Sequence, residues 1–141
     1  MTIIGFDPGR DKCGLAVAKA NNPSDVLYHQ VIASDQAMKT IDQLIGEYTP
    51  HTLVMGNLTT SKQWKKKLTQ HLSTSSAIDI HLVNEQNSTV EARSRYWQMY
   101  PPQGLDFNRF LPLGLRTPPK PVDDIVAIIL IERYFQKKAE V

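Results

Sequence analysis

Apolar and polar positions alternate in short runs over the first third of the chain. Residues 2–7 form a β-branched and aromatic run that Asp7-Pro8-Gly9 stops. The turn over residues 8–12 leads into a second run at 13–19. A third run, residues 26–33, follows the polar turn Asn21-Asn22-Pro23-Ser24. Three strands with such short connections predict an antiparallel meander. The period then lengthens. Ala37, Ile41, Leu44, Ile45 and Tyr48 recur at helical spacing, Ser34 or Asp35 stands where a cap is needed, and Pro50 ends the helix.

Beyond Pro50, Leu53-Val54-Met55 closed by Gly56 reads as a compact strand over 52–56. A second helix over 61–72 sets Trp64, Leu68 and Leu72 on one side, with Lys62, Lys65, Lys66 and Lys67 around the rest. Residues 78–83 alternate as a fifth strand. Ser88-Thr89-Val90-Glu91 has the Ser-x-x-Glu form of a capping box and predicts a third helix starting at Ser88. Residues 101–121 are rich in proline and glycine, hold no sustained period and read as a long loop. The last helix covers residues 122–137, and its apolar stretch at 125–131 predicts burial on more than one side. The order β-β-β-α-β-α-β-α, loop, helix predicts an α/β fold of RNase H-like type over a single domain, residues 1–141. Its five-stranded mixed sheet combines a three-strand antiparallel meander with two parallel strands, and helices cover both faces.

Composition narrows this picture only a little. A chain of 141 residues buries roughly two-thirds of its unfolded surface, so it folds without a disulfide or structural metal. The net charge of +2 permits nucleic-acid binding but does not argue for it. Cys13 is the one cysteine, which excludes an intramolecular disulfide and a cysteine zinc site. The four histidines lack metal-ligand spacing. The amino terminus has no signal-peptide pattern, and the longest apolar run falls far short of the about 20 residues that span a bilayer. The expected location is the cytoplasm, with no membrane partner.

The acids at the ends of elements carry the candidate chemistry. Asp7 ends the first strand where the chain turns, Glu85 follows the fifth strand, and Asp123 and Asp124 begin the last helix. In the expected fold these ends share one edge of the sheet, so three carboxylates converge. Like charges held together repel, and divalent cations relieve the repulsion. An oxygen-rich site suits Mg²⁺ or Mn²⁺, and two such ions about 4 Å apart serve phosphodiester hydrolysis. Each acid also suits a plainer role. Asp7 before Pro8-Gly9 is a turn former, Glu85 a surface residue, and Asp123 or Asp124 a helix cap.

Three stretches resemble the YqgF family of Holliday-junction resolvases in the RNase H-like superfamily. Residues 4–17, with Asp7, Gly9, Gly14 and Ala16, are similar to the family's opening Asp-x-Gly-x-x-x-x-Gly-x-Ala. Asn84-Glu85-Gln86-Asn87-Ser88-Thr89-Val90-Glu91-Ala92 resembles its Asp-Glu-Arg-x-(Ser/Thr)-Thr-x-Glu-Ala segment. Val122-Asp123-Asp124 through Phe135 resembles its final Val-Asp-x-x-x-Ala-x-x-x-Leu helix. The resemblance implies Asp7, Glu85 and Asp123 as catalytic, metal-binding acids, with Mg²⁺ or Mn²⁺ as cofactor. Asp123 is favoured over Asp124 because Ala127 and the apolar run set the register, and Asp124 stands as a secondary metal candidate. The chain departs from the pattern at Asn84, at Gln86, at Asn57-Leu58 where the family has Leu-Pro, and at Val126, where resolvases of the wider superfamily carry a further Asp.

The candidate nucleic-acid contacts are Arg10, Lys12, Arg93, Arg95, Arg109, Arg116 and Lys120, with Lys65, Lys66 and Lys67 in a weaker set. Solvated faces are the plainer reading of both groups. Tyr96, Trp97 and Tyr100 suit stacking on unpaired bases or packing in the core. The leading expectation is a metal-dependent endonuclease acting on structured DNA or RNA, a Holliday junction or a ribosomal precursor. Two active sites for two symmetric strands would suit a homodimer. The competing expectation is a binding module that keeps the fold without catalysis. A nucleotide-dependent phosphotransferase, suggested by the Asp-x-Gly turn, would need a second domain of the same kind.

Overall fold

The computed structural model describes residues 1–58, 60–72, 77–102, 107–112 and 117–139. Five strands, β1 (Thr2–Asp7), β2 (Lys12–Lys19), β3 (Asn22–Ala33), β4 (Thr52–Gly56) and β5 (Asp79–Val83), form one sheet in the order β3-β2-β1-β4-β5. β1 pairs antiparallel with β2, and β2 with β3, whereas β4 lies parallel to both β1 and β5. The expected meander and parallel pair are both present. β3 begins four residues earlier than the apolar pattern suggests, because register shifts between Val17, Ala18 and Lys19 let its polar start pair with the end of β2. Pro23 is accommodated there because β3 is an edge strand.

Among the described residues four α-helices cover the sheet: α1 (Ala37–Tyr48), α2 (Ser61–Leu72), α3 (Ser88–Met99) and α4 (Asp123–Ala139). Alternation along each strand divides the core. Ile4, Phe6, Leu15, Val17, Leu53 and Met55 pack with Ile41 and Leu44 of α1 and Leu68 and Leu72 of α2. Ile3, Ala16, Ala18 and Val54 face the other way, onto α4 and the Ala92–Tyr96–Trp97 side of α3. Residues 125–131 of α4 are all buried, as their uninterrupted apolar character requires, because α4 lies between the sheet and α3.

The helix ends differ in detail from expectation. A short 3₁₀ turn, Ser34–Gln36, precedes α1, and no side chain caps it; Thr49 closes α1 in the left-handed region, its N–H donating to the Ile45 carbonyl. The capping box at Ser88 does not form. Ser88 is the first helical residue and is buried, Asn87 occupies the cap position at φ 61, and Glu91 pairs with Arg133 instead. The 101–121 segment contains a short 3₁₀ helix, Phe107–Phe110. Among the described residues no helix is long and apolar enough to cross a membrane.

Candidate active site

The alternation that buries Ile4 and Phe6 on one face puts Ile3, Gly5 and Asp7 on the face beneath α4. Asp7 is the last residue of the central strand, and both strands beside it carry a glycine at its level. Gly14 is its direct partner on β2. Gly56 follows Met55, which pairs with Phe6, on β4. Neighbouring strands lie about 4.8 Å apart, so the two glycines flank Asp7 closely. Neither glycine is incidental. A Cβ on Gly14 would overlap the Asp123 carbonyl oxygen, and one on Gly56 would overlap the Glu85 carboxylate. The absent side chains leave room for the first turn of α4 on one side of Asp7 and for Glu85 on the other.

Asp7 and Asp123 are joined by a hydrogen bond, and Glu85 lies near enough for its charge to act on Asp7. Burial, then the charges of Asp123 and Glu85, then a hydrogen bond with Asp123 push the Asp7 carboxyl up to about 8. Burial also raises Asp123, while the bond from Asp7, its own backbone N–H and the nearby Lys12 ammonium oppose that rise. Asp7 is accordingly the partner that keeps its proton and donates it to Asp123. Glu85 is held separately: the Leu58 N–H donates to its Oε1 at 2.9 Å. The amino end of α4, which begins at Asp123, adds positive dipole potential to the cluster.

Supporting contacts fix the loops that carry these acids. Ser34 Oγ donates to the Gly9 carbonyl at 2.9 Å, and its N–H donates to the Asp11 carbonyl at 2.9 Å. The buried Cys13 thiol sits 3.3 Å from Ser34 Oγ and accepts from the Gly9 N–H at 3.4 Å. Burial raises the Cys13 thiol, which keeps it neutral as a packing and hydrogen-bonding group. Asn84 Oδ1 accepts the Gln86 N–H at 2.9 Å, an Asx turn that places Glu85 at its centre.

The donor set fits a hard divalent cation. It is all oxygen, its mutual repulsion is relieved by a proton on Asp7 that a cation would replace, and Gly56 leaves the Glu85 carboxylate its space. Among the described residues no three His, Cys, Asp or Glu side chains already stand at ligand spacing. Asp7 and Asp123 are joined by their hydrogen bond, and Glu85 is turned toward Leu58. Asp124 does not join the cluster. Its Oδ2 lies 2.7 Å from His29 Nδ1 and its Oδ1 accepts the Ile125 N–H, so the secondary metal candidate is committed to β3. Val126 is buried in the core and adds no polar group.

The expected nucleic-acid contacts divide by environment. Arg10 is exposed on the turn after Asp7 and Lys12 at the start of β2, and Arg93, Arg109 and Lys120 are exposed on α3 and the segment before α4. Lys120 borders a cleft of about 320 Å³ that His29, Tyr96, Tyr100 and Asp124 also line. Arg95 is not free for phosphate, because its guanidinium makes a two-pronged pair with Glu132 at 2.8 and 2.9 Å. Lys65, Lys66 and Lys67 are exposed on α2, with Lys67 over the Trp64 ring. Arg116 lies outside the described residues. Tyr96 and Trp97 are buried and meet edge to face, whereas Tyr100 is half exposed. Leu58, Ser34, Gly56 and Arg133 were not singled out as site residues from sequence, since each acts through a contact distant along the chain.

Solved structures share this architecture. RuvC of Thermus thermophilus matches with a TM-score of 0.59 at 12% identity, over 99% of this chain and 97% of its own. T. thermophilus RuvC in complex with a Holliday junction substrate gives 0.61 at 14% identity, over 99% and 96%. The Fowlpox virus resolvase in complex with Holliday junction DNA gives 0.65 at 11% identity, over 98% and 99%. These likenesses establish the RNase H-like fold. Among curated protein sequences none matches this chain. The model of the RuvX family, described as Holliday junction resolvase, matches residues 1–137. With the match running from β1 through β5 and nearly to the end of α4, the chain belongs to the RuvX family of Holliday junction resolvases.

Proposed function

We propose that this protein is a divalent-metal-dependent endonuclease that cuts phosphodiesters in four-way DNA junctions. Asp7, Glu85 and Asp123 are its catalytic, metal-holding acids. The observation that carries this reading is the proximity of the Asp7 carboxylate to those of Asp123 and Glu85, with Gly14 leaving room for the Asp123 backbone and Gly56 for the Glu85 carboxylate. When bound, Mg²⁺ or Mn²⁺ supplies a water nucleophile of lowered pKa and stabilises the leaving oxygen. The protein's own part is positional. Asp7 gives up the proton it shares with Asp123, the Leu58 N–H aims Glu85, and the α4 dipole favours negative charge at the site. Arg10, Lys12, Arg93 and Lys120 are exposed cations that would contact phosphates.

The test is cleavage of a synthetic four-way junction, with a structured ribosomal-precursor RNA and a linear duplex as parallel substrates. Cutting of the junction in Mg²⁺ or Mn²⁺, lost by about 10³-fold or more in Asp7→Asn, is the expected result. Preferential cutting of the RNA would move the substrate to ribosomal processing while leaving the chemistry in place. Tight junction binding with no cleavage in any metal, by wild type and Glu85→Gln alike, would instead mark a binding module. The replacement of a fourth acid by the buried Val126 gives that second reading its footing.

A further inference from the structure

The turn that carries Glu85 is held from outside by one side chain. Arg133, well down α4 from Asp123, reaches across to the 84–86 segment. Its Nη1 donates to the Asn84 carbonyl at 2.8 Å and to the Gln86 carbonyl at 2.9 Å. Its Nη2 donates to Glu91 Oε2 at 2.9 Å, on the first turn of α3. The two carbonyls bracket Glu85, and Glu91 anchors the guanidinium on the helix that follows. Arg133 is the less exposed partner of the ion pair, at 22% against 46% for Glu91. Three of its donors are thus already used inside the protein, which makes it a poor phosphate contact and a good clamp.

We infer that Arg133 is a positioning residue for Glu85: it sets the 84–86 turn so that the carboxylate stands over Gly56, within reach of the Leu58 amide and of Asp7. The inference rests on the nuclease reading for its consequence but not for its geometry. α4 carries Asp123 at its start and Arg133 further along, so one rigid helix fixes two of the three acids, one directly and one through the turn. Without the clamp, the turn keeps the Asn84–Gln86 and Ser88–Glu85 contacts and the Leu58 bond to the Glu85 side chain itself. Glu85 then samples positions away from Gly56, and the site loses affinity for its cation more than it loses stability. Supporting groups of this kind typically alter metal affinity or activity by about 10–100-fold.

The experiment compares wild type with Arg133→Ala, Arg133→Lys and Glu91→Gln. It reads amide exchange at Leu58 without metal, the Mn²⁺ concentration for half-maximal cleavage, and junction binding in Ca²⁺. Arg133→Ala is expected to speed Leu58 exchange and to raise the Mn²⁺ requirement by ~10-fold. Saturating Mn²⁺ should restore its rate, and junction binding should stay unchanged. Free guanidinium should rescue it in part, and Arg133→Lys and Glu91→Gln should fall between. Unchanged Leu58 exchange in a folded Arg133→Ala protein would overturn the inference. So would weakened junction binding at an unchanged Mn²⁺ requirement, which would make Arg133 a phosphate contact. If Arg133→Ala does not fold, Arg133→Lys and Glu91→Gln give the same readouts. Should wild type fail to cleave while Leu58 exchange still responds, the nuclease reading falls and the clamp stands.

Discussion

Asp7 holds a proton at neutral pH because it is partly buried near the Asp123 and Glu85 carboxylates, and that proton links its ionisation to folding. The unfolded chain releases it near the ordinary value of 3.8, and the folded chain near 8. Below about 4 both states hold the proton and its stabilising effect is complete; the effect is lost as pH rises through about 8. In chelator, the melting temperature of Asp7→Asn should therefore rise relative to wild type between these limits, and Mg²⁺ should narrow the gap. A gap independent of pH would contradict the shared proton. The two glycines should separate stability from chemistry. Gly14→Ala meets backbone of α4 and should cost about 1–3 kcal/mol in urea unfolding. Gly56→Ala meets the end of the flexible Glu85 side chain first, so it should weaken Mn²⁺ binding with a smaller loss of stability. Asp7 and Asp123 stand out in sequence as candidates because each ends or begins an element, and Glu85 because it closely follows β5. The His29 partner of Asp124 does not, being 95 positions away with no local pattern to mark it.

α4 does most to join core and site. Its unbroken apolar run announced burial on several sides, and Gly5 on β1 lets it lie close enough for a Cβ there to strike the Ala127 carbonyl. Ile129→Ala, at a fully buried position, should cost about 2–5 kcal/mol, measured by chemical denaturation. The Arg95–Glu132 pair ties α3 to α4 with both side chains only about a quarter exposed. A double-mutant cycle on Arg95 and Glu132 should return a coupling on the order of 1 kcal/mol, with little change in junction binding. Periodicity located nearly every element, yet it misjudged two ends for physical reasons. The polar start of β3 pairs only because of the irregularity opposite Ala18. The Ser88–Glu91 capping box gives way because Glu91 has a stronger partner in Arg133.

Over the whole molecule, the central position of β1 explains how acids from distant parts of the chain meet. With β2 antiparallel on one side and β4 parallel on the other, the end of β1 lies between the start of β2 and the end of β4. The turn after β5 and the start of α4 then approach from either side. This topology was readable from element order alone, since a meander followed by alternating helices and strands has few ways to close. What no linear pattern carries is the choice of contacts at the site: Leu58 to Glu85, Arg133 to the 84–86 turn, and Asp124 to His29 rather than to a cation. The decisive measurement is a crystal structure of the wild-type protein grown with Mn²⁺, read by its anomalous scattering. A manganese peak within about 2.3 Å of carboxylate oxygens from Asp7, Glu85 and Asp123 is the expected result. Manganese bound elsewhere, or none at the acids under saturating metal, would contradict it.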